Sequence, residues 1–100
     1  MKLTVTRYKT KPEGAQENER LIKQVFQELQ ARSPAGVRYI ALRLDDDTFI
    51  HFSTVEEGDS PIPKLNAFGS FQSGIKERCI EPPRSSAVTI VGSYRMPGET

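Results

Sequence analysis

The sequence predicts one α+β domain whose elements follow the order β-α-β-β-α-β. Three observations predict this class. Some segments alternate apolar and polar residues with a period of two, other segments repeat apolar residues at threes and fours, and turn-forming residues separate them. The 100 residues match the size of a single domain, and 27% charged with 36% apolar residues is typical of a folded chain.

The chain begins with a strand and a helix. Leu3 to about Lys11 alternates apolar and polar residues and is rich in β-branched residues, which predicts a strand. Pro12-Glu13-Gly14 ends it. Over Ala15–Arg32 the apolar residues recur at helical spacing among Gln, Glu, Lys and Arg, so we expect an amphipathic helix with one apolar stripe. Ser33-Pro34-Ala35-Gly36 ends that helix.

A hairpin follows the first helix. Val37–Leu44 and Phe49–Val55 both alternate as strands do, and Asp45-Asp46-Asp47-Thr48 lies between them. Short carboxylates bond to nearby backbone, so this acidic run predicts a turn. It does not predict a calcium site, because it lacks the glycine and the closing glutamate of the EF-hand pattern.

The last third predicts a second helix and a fourth strand. Leu65–Ile80 carries a Phe-rich apolar stripe at helical spacing, and Glu81-Pro82-Pro83 ends it. Cys79 falls on that stripe, where we expect a small buried hydrophobic side chain. Val88 to about Met96 is the predicted fourth strand, and Pro97–Thr100 is a predicted frayed tail.

Right-handed connections would make this a ferredoxin-like fold, a four-stranded antiparallel sheet with both helices on one face. The other face of such a sheet normally meets water and is polar. Here both faces of the predicted strands carry large apolar residues, so we expect a homodimer that covers the second face. The alternative is a monomer whose second face is modestly apolar. The opposed apolar sets are Ile40, Leu42 and Leu44 against Val37, Tyr39 and Ala41, Ile50 and Phe52 against Phe49, and Val91 against Val88 and Ile90.

Charge and cysteine content narrow the partners. The net charge is +1 and basic residues form no stripe, so we expect no nucleic-acid partner. No stretch approaches the roughly 20 apolar residues of a membrane span, and the N-terminus lacks the apolar region of a signal peptide. The single cysteine excludes an intrachain disulfide and a cysteine-based metal site, which weakly favours the reducing cytoplasm.

The sequence resembles the dimeric α+β barrel superfamily, and within it the antibiotic biosynthesis monooxygenase-like domains. The resemblance spans nearly the whole chain and is clearest at 48–56, 68–77 and 91–95. It implies a barrel of two sheets with helices outside and a pocket between each sheet and its helices. Activities in the superfamily include cofactor-independent oxygenation of electron-rich aromatic molecules, haem degradation and lactone isomerisation. The chain departs from the better-known enzymes because it has no tryptophan, and Thr54-Val55 stands where many relatives place one.

His51, the only histidine, is the candidate catalytic residue. It could act as a general base or bind haem iron, and the alternative is a partly buried histidine bonded to a neighbouring strand. Without a second histidine or a nearby fixed carboxylate, the sequence predicts no metal site and no cofactor. Strand arginines and tyrosines could orient a small apolar or aromatic ligand, and phenylalanines of the second helix could wall its pocket. These candidate ligand-binding residues are Arg7, Tyr39, Arg43, Phe68, Phe71 and Tyr94.

Three functions remain open at this point. The first is a cofactor-independent monooxygenase-like enzyme acting on a small aromatic or polyketide-like molecule. The second is a non-catalytic dimeric module that binds a small ligand. The third is a haem-binding or haem-degrading protein, for which His51 is the one available imidazole.

Overall fold

The computed structural model describes residues 1–96, which form four strands and three α-helices. The predicted tail Pro97–Thr100 lies outside the described residues. Two single-turn 3-10 helices, Pro12–Gly14 and Ile62–Lys64, precede the first and second α-helices. The elements in chain order are β1 (Lys2–Thr10), α1 (Ala15–Arg32), β2 (Val37–Arg43), β3 (Thr48–Val55), α2 (Asn66–Gln72), α3 (Ile75–Arg78) and β4 (Cys79–Ala87).

The four strands form one antiparallel sheet in the order β2-β3-β1-β4. The first and third strands lie side by side in the middle, with Tyr8 opposite Phe49 and Thr6 opposite His51. The β2–β3 hairpin closes through the predicted acidic turn, where Asp46 Oδ1 accepts the Thr48 N–H at 3.1 Å. The order and the antiparallel pairing confirm the predicted ferredoxin-like sheet.

The helices pack on one face of the sheet, which we call the helix face. The side chains that point there from the two central strands include Tyr8 and Phe49, which stack with ring centroids 5.4 Å apart. The apolar stripe of α1 packs over them, so burial of these groups drives the association of helix and sheet. The buried cluster consists of Tyr8, Leu21, Ile22, Val25, Phe49, Leu65 and Phe71.

The predicted helix over Leu65–Ile80 is wrong in its continuity and its end. It is split into α2 and α3, and it ends at Arg78. The break falls at Gly74, whose φ is +79°, a left-handed conformation that interrupts a helix and that glycine adopts without steric cost. The Phe stripe still points into the core through Phe71, which is 4% exposed.

The predicted fourth strand at Val88–Met96 is also wrong, because β4 covers Cys79–Ala87. Pro82 and Pro83 lie inside this strand. The strand is at the sheet edge, and its pairing with β1 shifts register between Arg7 and Lys9, opposite the prolines. Proline has no N–H to donate to a neighbouring strand. At a bulge in an edge strand that hydrogen bond is not required, so β4 tolerates both prolines. Residues 88–96 have no regular structure, and Val91 is 99% exposed.

We call the second sheet face the open face, because no helix or strand of residues 1–96 packs on it. Alternation along the strands places apolar side chains there, and Leu42 is 48% exposed while the others are half-buried. The sequence predicts apolar side chains on this second face as well as on the helix face, although such a face is normally polar. The apolar side chains of the open face are Leu3, Val5, Ile40, Leu42, Ile50 and Phe52.

The helices within residues 1–96 do not have the length and apolar character that a membrane crossing requires.

Candidate functional site

A cavity of about 280 Å³ lies between the helix face of the sheet and the segment that runs from Ser60 to Ile75. Its helical wall is largely apolar, with Ile62, Phe68 and Phe71 in the lining, and Ser60 and Gln72 add polar groups. Its floor is the helix face of β1 and β3, with Pro83 and Ser85 of β4 at one side. A volume of this order accommodates a molecule of two or three fused rings, and it approaches the lower end of the range for ligand pockets.

Three polar rings lie at one end of the cavity. His51 is central, on β3, and its ring nitrogens contact a tyrosine from each neighbouring strand. Nε2 is 2.8 Å from the Tyr8 hydroxyl of β1, and Nδ1 is 2.5 Å from the Tyr39 hydroxyl of β2. The sheet order dictates this convergence, because β3 lies between β2 and β1. All three side chains line the cavity.

Asn18 and Arg78 extend this contact series away from the cavity. Asn18, in the first turn of α1, is fully buried and donates Nδ2–H to the Tyr8 hydroxyl at 2.8 Å. Arg78, at the end of α3, donates its Nε–H to Asn18 Oδ1 at 3.2 Å. The same guanidinium also donates to the backbone carbonyls of Phe71, at 2.6 Å, and Ser73, at 3.2 Å. We call the series Arg78, Asn18, Tyr8, His51 and Tyr39 the hydrogen-bond chain.

The direction of each hydrogen bond follows from Arg78. A guanidinium only donates, so Asn18 must present its oxygen to Arg78 and its NH₂ to Tyr8. The Tyr8 oxygen therefore accepts, and its own proton goes to His51 Nε2. Neutral imidazole carries one proton, which then resides on Nδ1 and is donated to the Tyr39 oxygen. The hydroxyl proton of Tyr39 is left for the cavity.

Burial shifts the pKa values of the three rings. Desolvation lowers the pKa of His51 to about 4, so the imidazole is neutral at physiological pH. Desolvation raises the pKa of Tyr39 to about 12 and raises that of Tyr8 further still, despite the opposing Asn18 hydrogen bond. At pH 7 the three rings therefore present neutral hydrogen-bonding groups to the cavity.

Four predicted site residues meet at the cavity, namely His51, Tyr39, Phe68 and Phe71. The Phe71 ring lies 5.6 Å from the His51 ring and 5.7 Å from the Phe68 ring, so these aromatic groups form one continuous surface.

The other three candidates lie away from it. Arg7 projects from the open face beside Glu81, at 3.7 Å, because odd positions of β1 point away from the helices. Arg43 is held by Asp47 at 2.7 Å and by Glu19 at 3.3 Å. Tyr94 follows β4 and is 79% exposed. The structure therefore does not bring these side chains to the cavity.

Sequence reasoning missed Asn18 and Arg78 and did not single out Tyr8. A signal for Asn18 was present, because it falls at helical spacing with Leu21, Ile22 and Val25 on the apolar stripe of α1. A polar residue at such a position is buried and needs a specific partner. Nothing in the sequence pairs it with Arg78, which lies 60 residues away.

The site contains no metal-binding cluster in the part of the chain that the structure describes, since no three His, Cys, Asp or Glu side chains of residues 1–96 are grouped to hold an ion. Both His51 nitrogens have tyrosine partners, so iron ligation would require one of these contacts to break. Cys79 lies at the start of β4 and packs against the buried cluster, where burial raises the pKa of its thiol.

The fold of this chain is similar to that of several solved structures. No family model matches the sequence, and no curated protein matches it. A Mycobacterium tuberculosis protein superimposes with a TM-score of 0.73 at 12% identity, covering 92% of this chain and 96% of its own. A protein from Nitrosomonas europaea, named for a proposed antibiotic biosynthesis monooxygenase activity, gives a TM-score of 0.74 at 11% identity, with 90% and 89% covered.

A third structure, described as an antibiotic biosynthesis monooxygenase, superimposes with a TM-score of 0.69 at 13% identity and covers 92% of this chain and 100% of its own. The chain has the same fold as these three structures. The resemblance read from the sequence is thereby confirmed for the fold, which surrounds the cavity described above.

Proposed function

We propose that this monooxygenase-like protein works as a homodimer that binds a small aromatic or polyketide-like molecule in the cavity between sheet and helices. The observation that carries the proposal is the pairing of an aromatic wall, Phe68 and Phe71, with a neutral polar end that offers the Tyr39 hydroxyl proton. Ligand pockets combine a largely apolar lining with a few oriented polar groups in the same way.

The proposed reaction is oxygenation without a cofactor. The substrate is a ketone with an activated CH₂ group, and it supplies the electrons itself. Its CH₂ becomes a carbonyl while O₂ gives one oxygen atom to that carbonyl and the other to water, so R₂CH₂ + O₂ yields R₂CO + H₂O. The activated CH₂ group would lose its first proton to buffer water, while the Tyr39 hydroxyl donates to the ketone oxygen and stabilises the enolate that reacts with O₂. The aromatic groups beside Tyr39 lower the local polarity and strengthen that hydrogen bond.

Within this proposal His51 orients Tyr39 and does not itself take the substrate proton. Its Nε2 lone pair already accepts the Tyr8 proton, and its pKa of about 4 makes it a weak base near neutral pH. The general-base role predicted from the sequence remains a second possibility, which substitutions at His51 and Tyr39 would separate. Haem ligation is the less supported alternative, because neither ring nitrogen has a free lone pair or proton.

The homodimer is proposed from the open face. A lone copy would expose a contiguous set of aliphatic and aromatic side chains there, centred on Ile40, Phe52 and Val5. A second sheet packed face to face would cover them. The segment Val88–Val91, whose residues favour a strand, pairs with no strand among the described residues 1–96, although Val88 N–H donates to Leu3 O of β1. A cytoplasmic setting belongs to the same proposal, supported by the lone thiol of Cys79.

A non-catalytic ligand-binding module is the competing function, and oxygen consumption separates the two. The protein is incubated with anthrone, a three-ring ketone with an activated CH₂ group, in aerated buffer without added metal, flavin or haem. The proposal predicts uptake of one O₂ per anthraquinone formed, well above the uncatalysed rate. Tyr39→Phe should reduce this rate at least tenfold, since it removes the donor but keeps the ring.

Two results would decide against oxygenation. Anthrone binding without accelerated O₂ uptake would favour the binding module. Equal rates for wild type and Tyr39→Phe would remove Tyr39 from the chemistry. Lys23→Gln serves as the control, because Lys23 lies on the exposed side of α1, away from both the cavity and the open face, and should leave the rate unchanged.

A further inference from the structure

We propose that Asn18 and Arg78 are positioning residues that set the direction of the hydrogen-bond chain, so that the cavity selects ligands presenting an oxygen acceptor over ligands that only donate. This inference rests on the proposed function in one respect, that the cavity holds a ligand. Its structural part, the direction of the chain, is independent of any ligand.

The first step is that Arg78 cannot change its role. Its guanidinium is held by three acceptors on three residues, the side chain of Asn18 and the carbonyls of Phe71 and Ser73. It also stacks over the Phe71 ring, with its central carbon 5.5 Å from the ring centroid. A guanidinium keeps its proton throughout the accessible pH range. The Asn18 amide therefore has one orientation, with its NH₂ toward Tyr8.

The second step is that reversing the chain leaves a buried proton without an acceptor. If His51 carried its proton on Nε2, the Tyr8 oxygen would receive that N–H together with the Asn18 N–H. The Tyr8 hydroxyl proton would then have no acceptor, in a side chain that is 1% exposed. An unpaired buried donor carries the full desolvation cost, so the Nδ1–H tautomer is preferred. The preference for one tautomer is stronger here than for a histidine side chain that is free in water.

The third step concerns the ligand. In the preferred direction the Tyr39 oxygen accepts from His51 Nδ1–H, and its own proton faces the cavity. A ligand carbonyl or phenolate oxygen satisfies that proton. A ligand with donors alone offers that proton no acceptor. The selectivity originates at Asn18, three hydrogen bonds beyond the Tyr39 hydroxyl that contacts the ligand.

Asn18→Asp reverses the predicted direction with almost no change in shape. A carboxylate accepts from both Arg78 and Tyr8, so the Tyr8 proton turns toward residue 18 and Nε2–H donates to the Tyr8 oxygen. His51 Nδ1 then accepts the Tyr39 proton, and Tyr39 offers only its oxygen to the cavity. Arg78 remains as a counter-ion for the new buried carboxylate.

The tautomer is measured by nitrogen-15 NMR of the imidazole. The assignment is unambiguous because the chain has a single histidine. In the wild type, Nδ1 should carry the proton and Nε2 should show the shift of an unprotonated nitrogen. In Asn18→Asp the two should exchange. A wild-type Nε2–H tautomer, or the same tautomer in both proteins, overturns the positioning role. The wild-type measurement decides the matter even if the variant does not fold.

Ligand selectivity is measured by titration with three two-ring probes. The probes are α-tetralone, which only accepts, tetralin, which lacks the carbonyl, and indole, which only donates. The wild type should bind α-tetralone about tenfold more tightly than tetralin, the value of one well-formed hydrogen bond. In Asn18→Asp that ratio should fall toward one, while indole should gain relative to tetralin. Equal binding of α-tetralone and tetralin by the wild type overturns the selectivity alone. Failure of all three probes to bind overturns both the selectivity and the proposed function.

Discussion

Acidification should destabilise the folded protein through His51, and the size of the effect follows from its burial. The side chain is 7% exposed, and burial lowers its pKa to about 4 from the value of about 6.5 expected in the unfolded chain. Below the unfolded pKa the unfolded state binds more protons than the folded state, so stability falls with falling pH until the folded pKa is passed. The full difference is about 3 kcal/mol, of which about 2 kcal/mol is lost between roughly pH 7 and pH 5.

The assay combines two readouts. Urea unfolding of the wild type and of His51→Gln, at one fixed protein concentration, gives the free energy of unfolding at each pH. Carboxylate titration affects both proteins, so the difference between their pH slopes isolates His51. Independently, the carbon-bound imidazole protons of the single histidine report its folded pKa by NMR. A folded pKa near 6.5, or equal pH slopes for the two proteins, would refute the argument from burial.

Three other substitutions test the surrounding structure. Phe52→Asp on the open face should convert the proposed dimer to a monomer in sedimentation velocity, whereas Gln27→Asp on the exposed side of α1 should not. Unchanged assembly in Phe52→Asp would exclude this face as the interface. Gly74→Ala should cost about 1 kcal/mol in urea unfolding because its φ is +79°, while Gly69→Ala, with open space around its Cβ position, should be neutral or stabilising. The Glu28 carboxylate accepts the first two amides of α2 and pairs with an arginine, which lowers its pKa. Its stabilising effect is therefore present above the unfolded pKa and lost as pH falls through the folded one, so wild type and Glu28→Gln should differ in melting temperature near neutral pH and converge in acid.

Local patterns predicted the first half of the fold well. In β1, α1 and the β2–β3 hairpin, each period of two or of 3.6 coincides with one buried face, so pattern and packing agree. The position of the fourth strand was predicted wrongly, for a reason that no local pattern reveals. Pro82 and Pro83 normally end a strand, and they are tolerated here because β4 is at an edge and opposes a register shift in β1. The strand-like residues Val88–Val91 had the better local pattern and lie outside the sheet.

The candidate site was also predicted from the sequence only in part. His51 and Tyr39 were predicted from strand positions, and the sheet order then placed them in contact. The charged candidates do not reach the cavity. Arg7 lies on the open face beside Glu81, and Arg43 is held by its salt bridge to Asp47. The contact between Asn18 and Arg78 joins the start of α1 to the end of α3, and only the tertiary fold brings those two points together.

Binding of a small acceptor-bearing aromatic molecule in the cavity against Tyr39 can be observed through intermolecular nuclear Overhauser effects between bound α-tetralone and the protein. We expect contacts from the ligand rings to Phe68 and Phe71, with the carbonyl end nearest Tyr39. Contacts to the open-face side chains Ile40 and Phe52 instead, or none to the aromatic wall, would contradict it.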